Sequence, residues 1–252
     1  QKRLSVLAAQ ELSRIMQTEV SIGNIDLGLL NRVIIQNVYL EDKSGQELLK
    51  VARLSAKIEL SPLLHGRIRI SSIQLFGLNA HLNRQTPESK PNFQFILDAF
   101  ASKDTVKKKS NIDLRINSVL IRRGQIYYDL LSAAQTPGRF NTNHLGIQNF
   151  SATLSLKALT PDSLNAQIKR LSFNEQSGFK LKKLALKLTA NHYGLQANNV
   201  EVSLPQSELA IDTLAVAHDS ASSFPIFNND TQYMARMHAS IALSDLAMFV
   251  PS

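Results

Sequence analysis

Residues 67–82 read RIRISSIQLFGLNAHL, and this stretch carries the pattern on which the fold depends. Two pairs of alternating apolar residues flank the polar Ser71-Ser72, and a third alternating run follows Gly77. The same arrangement returns at residues 114–128, LRINSVLIRRGQIYY. Self-similarity of this kind is typical of repeat architectures. The matched positions are Ile70, Ile73, Leu75, Ala80 and Leu82 in the first copy and Ile116, Val119, Ile121, Ile126 and Tyr128 in the second.

The shared core of the pattern is apolar-x-apolar-x-x-apolar-x-apolar, and it occurs nine times along the chain. Alternation with period two predicts β-strands. The gap between the two halves would place them on opposite faces of a regular strand, whereas a β-bulge at the gap keeps them together. A tight turn between two very short strands is the alternative. We favour bulges, because central pairs such as Lys-Arg and Lys-Lys make poor hairpin turns. The central pairs lie at residues 23–24, 36–37, 71–72, 117–118, 148–149, 169–170, 182–183, 198–199 and 212–213.

Two segments have helical rather than strand periodicity. Residues 4–16 carry one apolar stripe through Leu7, Leu12 and Met16, which is typical of an amphipathic helix. This helix either caps the open end of a sheet or lies on a membrane, and its few cations favour the cap. A second, short helix is predicted at 92–101, with Asn92 as its N-cap.

The strands follow one another closely, with turn signals between them, and this spacing predicts a mostly β protein. We expect a long curved antiparallel sheet. It forms a single domain over residues 1–252, with an N-terminal helix at 1–18 and a helix-containing insertion at 84–111. The polar segment 102–110, with its run of three lysines, and the segment 220–230 read as loops.

Composition narrows the classes of function. The formal net charge of +8 suits either an anionic partner or a solubilising surface. Aromatic residues make up 6% of the chain, which argues against single-stranded nucleic acid as that partner. Cysteine is absent, the six histidines are isolated, and no nucleophile or phosphate-binding motif occurs. We therefore expect no catalytic residue, no metal site, no cofactor and no enzymatic activity. No apolar run is long enough to span a membrane.

Several stretches together resemble a known family. They are QTEVSIGNI at 17–25, LSPLLHGRIRI at 60–70, IQLFGLNAHLNR at 73–84, residues 92–100, residues 140–145 and KRLSFNEQSGFK at 169–180. Their order and spacing resemble the AsmA-like superfamily, and within it the N-terminal periplasmic part of a TamB-type translocation and assembly module.

This resemblance implies a location, partners and a function. Such proteins lie in the periplasm and are anchored to the bacterial inner membrane by an N-terminal helix, which this chain lacks. They carry phospholipid between the inner and outer membranes along the apolar concave face of a curved sheet. They also act with an outer-membrane barrel partner through regions absent here. The chain would then be a fragment of a longer protein.

Two architectures are compatible with these strands. The sheet either forms an open apolar groove or closes into a barrel or sandwich whose side chains fill the interior. The resemblance favours the groove, with phospholipid acyl chains as its occupant. The alternative function is a scaffold or chaperone for outer-membrane β-barrel proteins that works by strand-edge pairing. The candidate groove residues are Ile68, Ile70, Ile73, Leu75, Leu114, Ile116, Val119, Ile121, Leu181, Leu184 and Leu186.

Overall fold

The computed structural model describes residues 2–29, 31–59, 61, 68–101, 112–160, 163–191, 194–217 and 232–249. Strands account for 66% of the structure, which confirms the mostly β prediction. Helices α1 (Lys2–Met16) and α2 (Gln94–Ala101) and a 3-10 helix (Leu243–Phe249) complete it. The strands are β1 Val20–Gly28, β2 Arg32–Glu41, β3 Glu47–Glu59, β4 Ile68–Arg84, β5 Ile112–Leu130, β6 His144–Thr160, β7 Ser163–Glu175, β8 Lys180–Asn191, β9 Gly194–Ser203, β10 Glu208–Ala217 and β11 Gln232–Ser240.

All eleven strands lie in one sheet, in the order of the sequence from β1 to β11. The sheet is open and does not close into a barrel, so the predicted open architecture is confirmed. One part of the expectation needs correction, because the sheet is mixed rather than wholly antiparallel. Nine of the ten strand pairs are antiparallel, and β4 pairs with β5 in parallel.

The parallel pair has a simple physical cause. A hairpin cannot join parallel strands, which need a crossover of a dozen residues or more. The segment 85–111, with α2 inside it, is long enough to return the chain to the same end of the sheet. The two long repeats then run side by side in register. Ile73 pairs with Val119 and Leu75 with Ile121, so the correspondence seen in the sequence is also the pairing in space.

The polar pair at the centre of β4 forms a bulge, as predicted. At the centre of β4, the ladder with β3 pairs Ile73 with Ala56 and Ile70 with Ile58. Ser71 has no partner in that ladder, so it is the extra residue of a bulge. Because Ala56 and Ile58 are two residues apart on one face, Ile70 and Ile73 also share a face.

Five strand residues have left-handed backbone conformations, with φ between 51° and 65°: Asn37, Gly77, Arg123, Asn149 and Asn199. The three asparagines belong to the polar pairs at the repeat centres, whereas Gly77 and Arg123 are matched positions of the two long repeats. Asparagine and glycine tolerate this region better than other residues. The first two lie on either side of Ala52, and Arg123 follows on β5, so the kinks form a line across neighbouring strands. The side chains of the four non-glycine residues are exposed, which explains why polar residues occupy these positions.

Helices α1 and α2 pack together over one end of the sheet. Met16 of α1 is buried with Val20, Leu40 and Leu48, and Phe93 and Ile96 pack against the same cluster. The capping role predicted for the amphipathic stripe is therefore confirmed for the C-terminal half of α1. Its N-terminal half leaves Val6 and Leu7 exposed.

Asp42, in the turn between β2 and β3, connects these elements. Its carboxylate accepts hydrogen bonds from Ser44, from the backbone N–H of Gln46 and from the Asn92 side chain. Burial, the largest single influence, raises the pKa of Asp42, but these hydrogen bonds together hold that pKa below its usual range. The Asn92 side chain also accepts a hydrogen bond from the backbone N–H of Asn83, so it anchors the loop after β4. The prediction that Asn92 is the N-cap of α2 is wrong, because α2 begins at Gln94.

Some expectations fall outside the described residues or stay untested. The lysine-rich segment 102–110 and the segment 220–230 lie outside them. The assignment of residues 1–252 to a single domain stays a prediction.

The close contact at the kink of β4 can be tested. A Cβ atom at Gly77 would lie 3.0 Å from Cβ of Ala52, and the φ of +65° already disfavours a side chain. Gly77→Ala should therefore lower the free energy of unfolding by about 2 kcal/mol. Gly138→Ala is the matched control, because Gly138 has a φ of +73° with no atom within 4 Å of the added Cβ. It should cost only about 1 kcal/mol. Equal losses in urea unfolding would contradict the close approach of the strands.

Candidate functional site

The candidate site is one face of the sheet, here called the apolar face. The pairing registers place one apolar residue of every strand in a single row that crosses all eleven strands. Further apolar rows flank it, because side chains two residues apart share a face. In order from β1 to β11, the row consists of Ile25, Ile35, Leu54, Leu75, Ile121, Ala152, Leu171, Leu184, Val202, Leu209 and Ala239.

The opposite face, here called the polar face, carries rows of a different composition. One such row runs from β3 to β11 through hydroxyl, amide and basic side chains. Polar side chains of this kind remain hydrated at a protein surface, so the polar face needs no second layer of protein over it. Its members are Lys57, Ser72, Ser118, Ser155, Gln167, Lys187, Asn198, Thr213 and Arg236.

The apolar face is closely packed over its first strands. Val51 on β3 is only 2% exposed, and Leu78 and Ala80 on β4 are also buried. The side chains packed against these three belong to strands β2 to β5, on both sides of the line of kinks. Apolar side chains from both sides of the kinks therefore pack together into one continuous surface on this face.

Two clusters cover the face at the end where α1 and α2 lie. The first is the cluster around Met16 and Leu48 described above. In the second, Phe140 and Phe249 pack edge-to-face against Phe179, with ring centroids 6.0 and 5.4 Å from it, and Phe173 joins them. At this end, α1 lies against β1, and Ile96 of α2 packs against the first cluster. The rest of the apolar face has no second layer in the described part of the chain.

Most of the predicted groove residues lie on this face. Ile73 and Leu75 pair with Val119 and Ile121, and Ile70 pairs with the backbone of Leu114. On β8, Leu181, Leu184 and Leu186 pair with apolar residues of β7. Ile116 falls within the bulge of β5 and has no partner in the ladder with β4. The side chains of Ile68 and Leu114 lie outside the described part of the structure. That any of these residues contacts lipid stays a prediction.

Sequence reasoning missed two polar groups at the covered end. Arg84 is the last residue of β4, and its Nε atom donates to the hydroxyl of Tyr128 on β5 at 2.8 Å. The alternation of both strands places these side chains on the apolar face. Tyr128 was recognised as a repeat position, and an arginine two residues beyond Leu82 was the available signal.

A polar cavity of about 330 Å³ lies beside the loop 131–143 and is lined by Asp129, Arg139 and His144. Nδ1 of His144 lies 2.8 Å from the Asp129 carboxylate, and Nε2 lies 3.0 Å from the carbonyl oxygen of Ala133. Both oxygens only accept, so both ring nitrogens are donors. The hydrogen bond to Asp129, and then that to Ala133, raise the pKa of His144. Within the described ranges, no group of three or more potential ligands could hold a metal ion.

An open, one-layer β-sheet with one apolar and one polar face defines a class of protein that presents an extended apolar surface. A model of the AsmA family matches residues 22–148, half of the chain. The chain therefore belongs to the AsmA family. This family is associated with the bacterial envelope, broadly with lipid transport and outer-membrane assembly, and with bridge- or transport-type rather than enzymatic roles. No curated protein matches the chain. None of the helices in the described ranges has the length and apolarity to cross a membrane.

The contacts of His144 give a pH dependence with a defined sign. The pKa of His144 is raised above its ordinary value of 6.5 on folding. Its contribution to stability is therefore complete below pH 6.5 and is lost as the pH rises through the folded-state value. The difference in free energy of unfolding between the wild type and His144→Gln should shrink between about pH 6 and pH 8. Urea unfolding across this range measures it, and a difference that grows with pH would contradict the doubly protonated ring.

Proposed function

We propose that the apolar face carries phospholipid acyl chains between the inner and outer membranes, and that the chain is a periplasmic segment of a TamB-type protein. The observation that carries the proposal is the unbroken apolar row across eleven strands, which has no second protein layer in the described residues. Soluble monomers rarely expose apolar patches larger than a few hundred Å². A surface that crosses a whole sheet therefore needs an apolar occupant.

The shape and charge of the face support acyl chains as that occupant. Acyl chains are apolar along their length and carry no groups that need hydrogen bonds. A long open strip with no charged residue in its central rows matches them, because burying an unpaired charge or polar group is costly. The cations of the neighbouring polar face, such as Arg53 and Lys57, remain in water.

The setting of the proposal follows from the family. We propose that the full-length protein is anchored to the inner membrane, lies in the periplasm, and acts with an outer-membrane barrel partner. The AsmA family's association with the envelope and with outer-membrane assembly supports these steps. The sparse aromatic content continues to argue against nucleic acid as a partner.

One observation favours the second function, a scaffold for outer-membrane β-barrel proteins. Strand β11 is the last strand of the sheet, and residues 234–240 are exposed on both faces, including Met234 and Met237. A free strand edge can accept an added strand. A client strand crosslinked along β11, with no lipid on the apolar face, would favour this function over transport.

Ile70→Asp and Ile116→Asp test transport along the apolar face. Both positions are partly exposed, so a carboxylate there should leave the sheet folded and raise the cost of placing acyl chains beside it. We expect lipid crosslinking to a photoreactive residue at position 73 or 119 to fall at least about tenfold. Gln74→Asp is the matched control, because Gln74 lies on the polar face of the same strand and pairs with Ser55 and Leu120.

The results separate transport from a closed core. Circular dichroism and thermal melting report folding, and lipid crosslinking in the full-length protein reports occupancy. Folded variants with undiminished crosslinking and normal outer-membrane integrity would contradict transport along this face. Variants that fail to fold, beside a folded Gln74→Asp control, would instead indicate a packed core.

A further inference from the structure

Arg84 is an unusual residue for its position. It follows Leu82 by two residues at the end of β4, and it pairs in register with Leu130, which is buried. Alternation therefore places Arg84 on the apolar face, at its covered end. Among the described strand residues that the registers assign to this face, Arg84 is the one cation and Glu175 is the one anion.

The two charged groups differ in how they are satisfied. The Glu175 carboxylate is buried and accepts hydrogen bonds from the backbone of Gly146 and from Ser177, so it closes a turn. Arg84 instead donates to two neutral oxygens, the Tyr128 hydroxyl and the carbonyl of Pro87. No carboxylate in the described part of the chain forms an ion pair with it. Within the described ranges, its positive charge therefore has no carboxylate partner beside the apolar surface.

The hydrogen bonds of Arg84 fix the position of the guanidinium but use only some of its N–H donors. Nε donates to the Tyr128 hydroxyl oxygen at 2.8 Å, and Nη1 donates to the carbonyl oxygen of Pro87 at 2.9 Å. These bonds leave Nη2 available as a donor. The Tyr128 hydroxyl accepts from Arg84, so its own proton is free to donate in the same region. Two fixed donors and one positive charge thus lie where the apolar face meets the loops at its end.

We infer that Arg84 and Tyr128 bind the phosphate group of a phospholipid whose acyl chains lie on the apolar face. The inference rests on the proposed function, which supplies the acyl chains. Arginine matches phosphate through charge and through its planar fork of donors. The phosphate would sit at the end of the face beside the turns, and the acyl chains would extend from it along the apolar rows. The shared chemistry is a phosphate anion, which free phosphate also offers.

Titration calorimetry with short-chain probes separates these sources. The probes are dihexanoylphosphatidylglycerol, dihexanoylglycerol, which lacks the phosphate, and inorganic phosphate, each added to the 252-residue chain. Arg84→Gln should weaken phosphatidylglycerol binding by about ten- to a hundredfold, because a hydrogen bond to a charged group is lost. It should leave dihexanoylglycerol binding unchanged. Arg84→Lys should fall between the two, because it keeps the charge and loses the fork.

Two further variants control for position and folding. Arg53→Gln removes an exposed arginine from the polar face of the adjacent strand and should not change the binding of any probe. Tyr128→Phe keeps Arg84 and its contact with Pro87 but removes one donor. It should weaken phosphatidylglycerol binding about two- to tenfold even if Arg84→Gln fails to fold.

Each alternative outcome has a distinct meaning. Equal binding of phosphatidylglycerol to the wild type, Arg84→Gln and Tyr128→Phe would overturn the headgroup site and leave transport along the face intact. If inorganic phosphate binds as tightly as phosphatidylglycerol, the site takes free phosphate and the inference is wrong. If neither lipid binds the wild-type chain, the proposed function fails, and the inference fails with it.

Discussion

The structure depends on a backbone conformation that most strands avoid. Each repeat has to pass an extra residue at its centre without turning its second half to the opposite face. Positive φ angles at positions such as Asn37 and Asn149 make this possible, and unpaired residues such as Ser71 do so elsewhere. Without these kinks, half of every strand would present apolar side chains to the polar face. The continuous apolar row and the candidate lipid surface both follow from this local geometry.

The pattern of residues was sufficient to predict the strands, the bulges and the open sheet, because these depend on local chemistry. Polar pairs at the repeat centres are visible in the sequence, and the physical reason for their polarity is local too. Whether two strands pair in parallel or antiparallel could not be predicted in this way, because it depends on the connection between them. The segment 85–111 returns the chain to the same end of the sheet, and this path makes β4 and β5 parallel. Once they are parallel, the matched positions of the two long repeats become neighbours in space.

The candidate site was predictable to a smaller extent. Apolar positions of the repeats mark the face, so residues such as Leu75 and Ile121 could be assigned to it before the structure was known. The residues at the ends of the face could not be assigned from the sequence. The aromatic cluster joins Phe140, Phe179 and Phe249, which lie far apart in the sequence, and only the fold brings them together. Arg84 looks in the sequence like the polar residue that ends a strand. Its position on the apolar face and beside Tyr128 is set by the pairing register of β4 and β5.

The two edges of the sheet differ in a way that bears on how such proteins lengthen during evolution. At β1, the hydroxyl of Ser13 on α1 accepts from the backbone N–H of Val20 and donates to its carbonyl oxygen, so α1 occupies the first residue of that edge. A strand duplicated at this side would have to displace the helix. At β11 no described residue blocks the edge. Gene duplication could therefore add strands at the β11 side without disturbing the helical cap, and every added copy of the repeat would extend the same apolar row. A sheet built in this way grows in one direction from a fixed starting point.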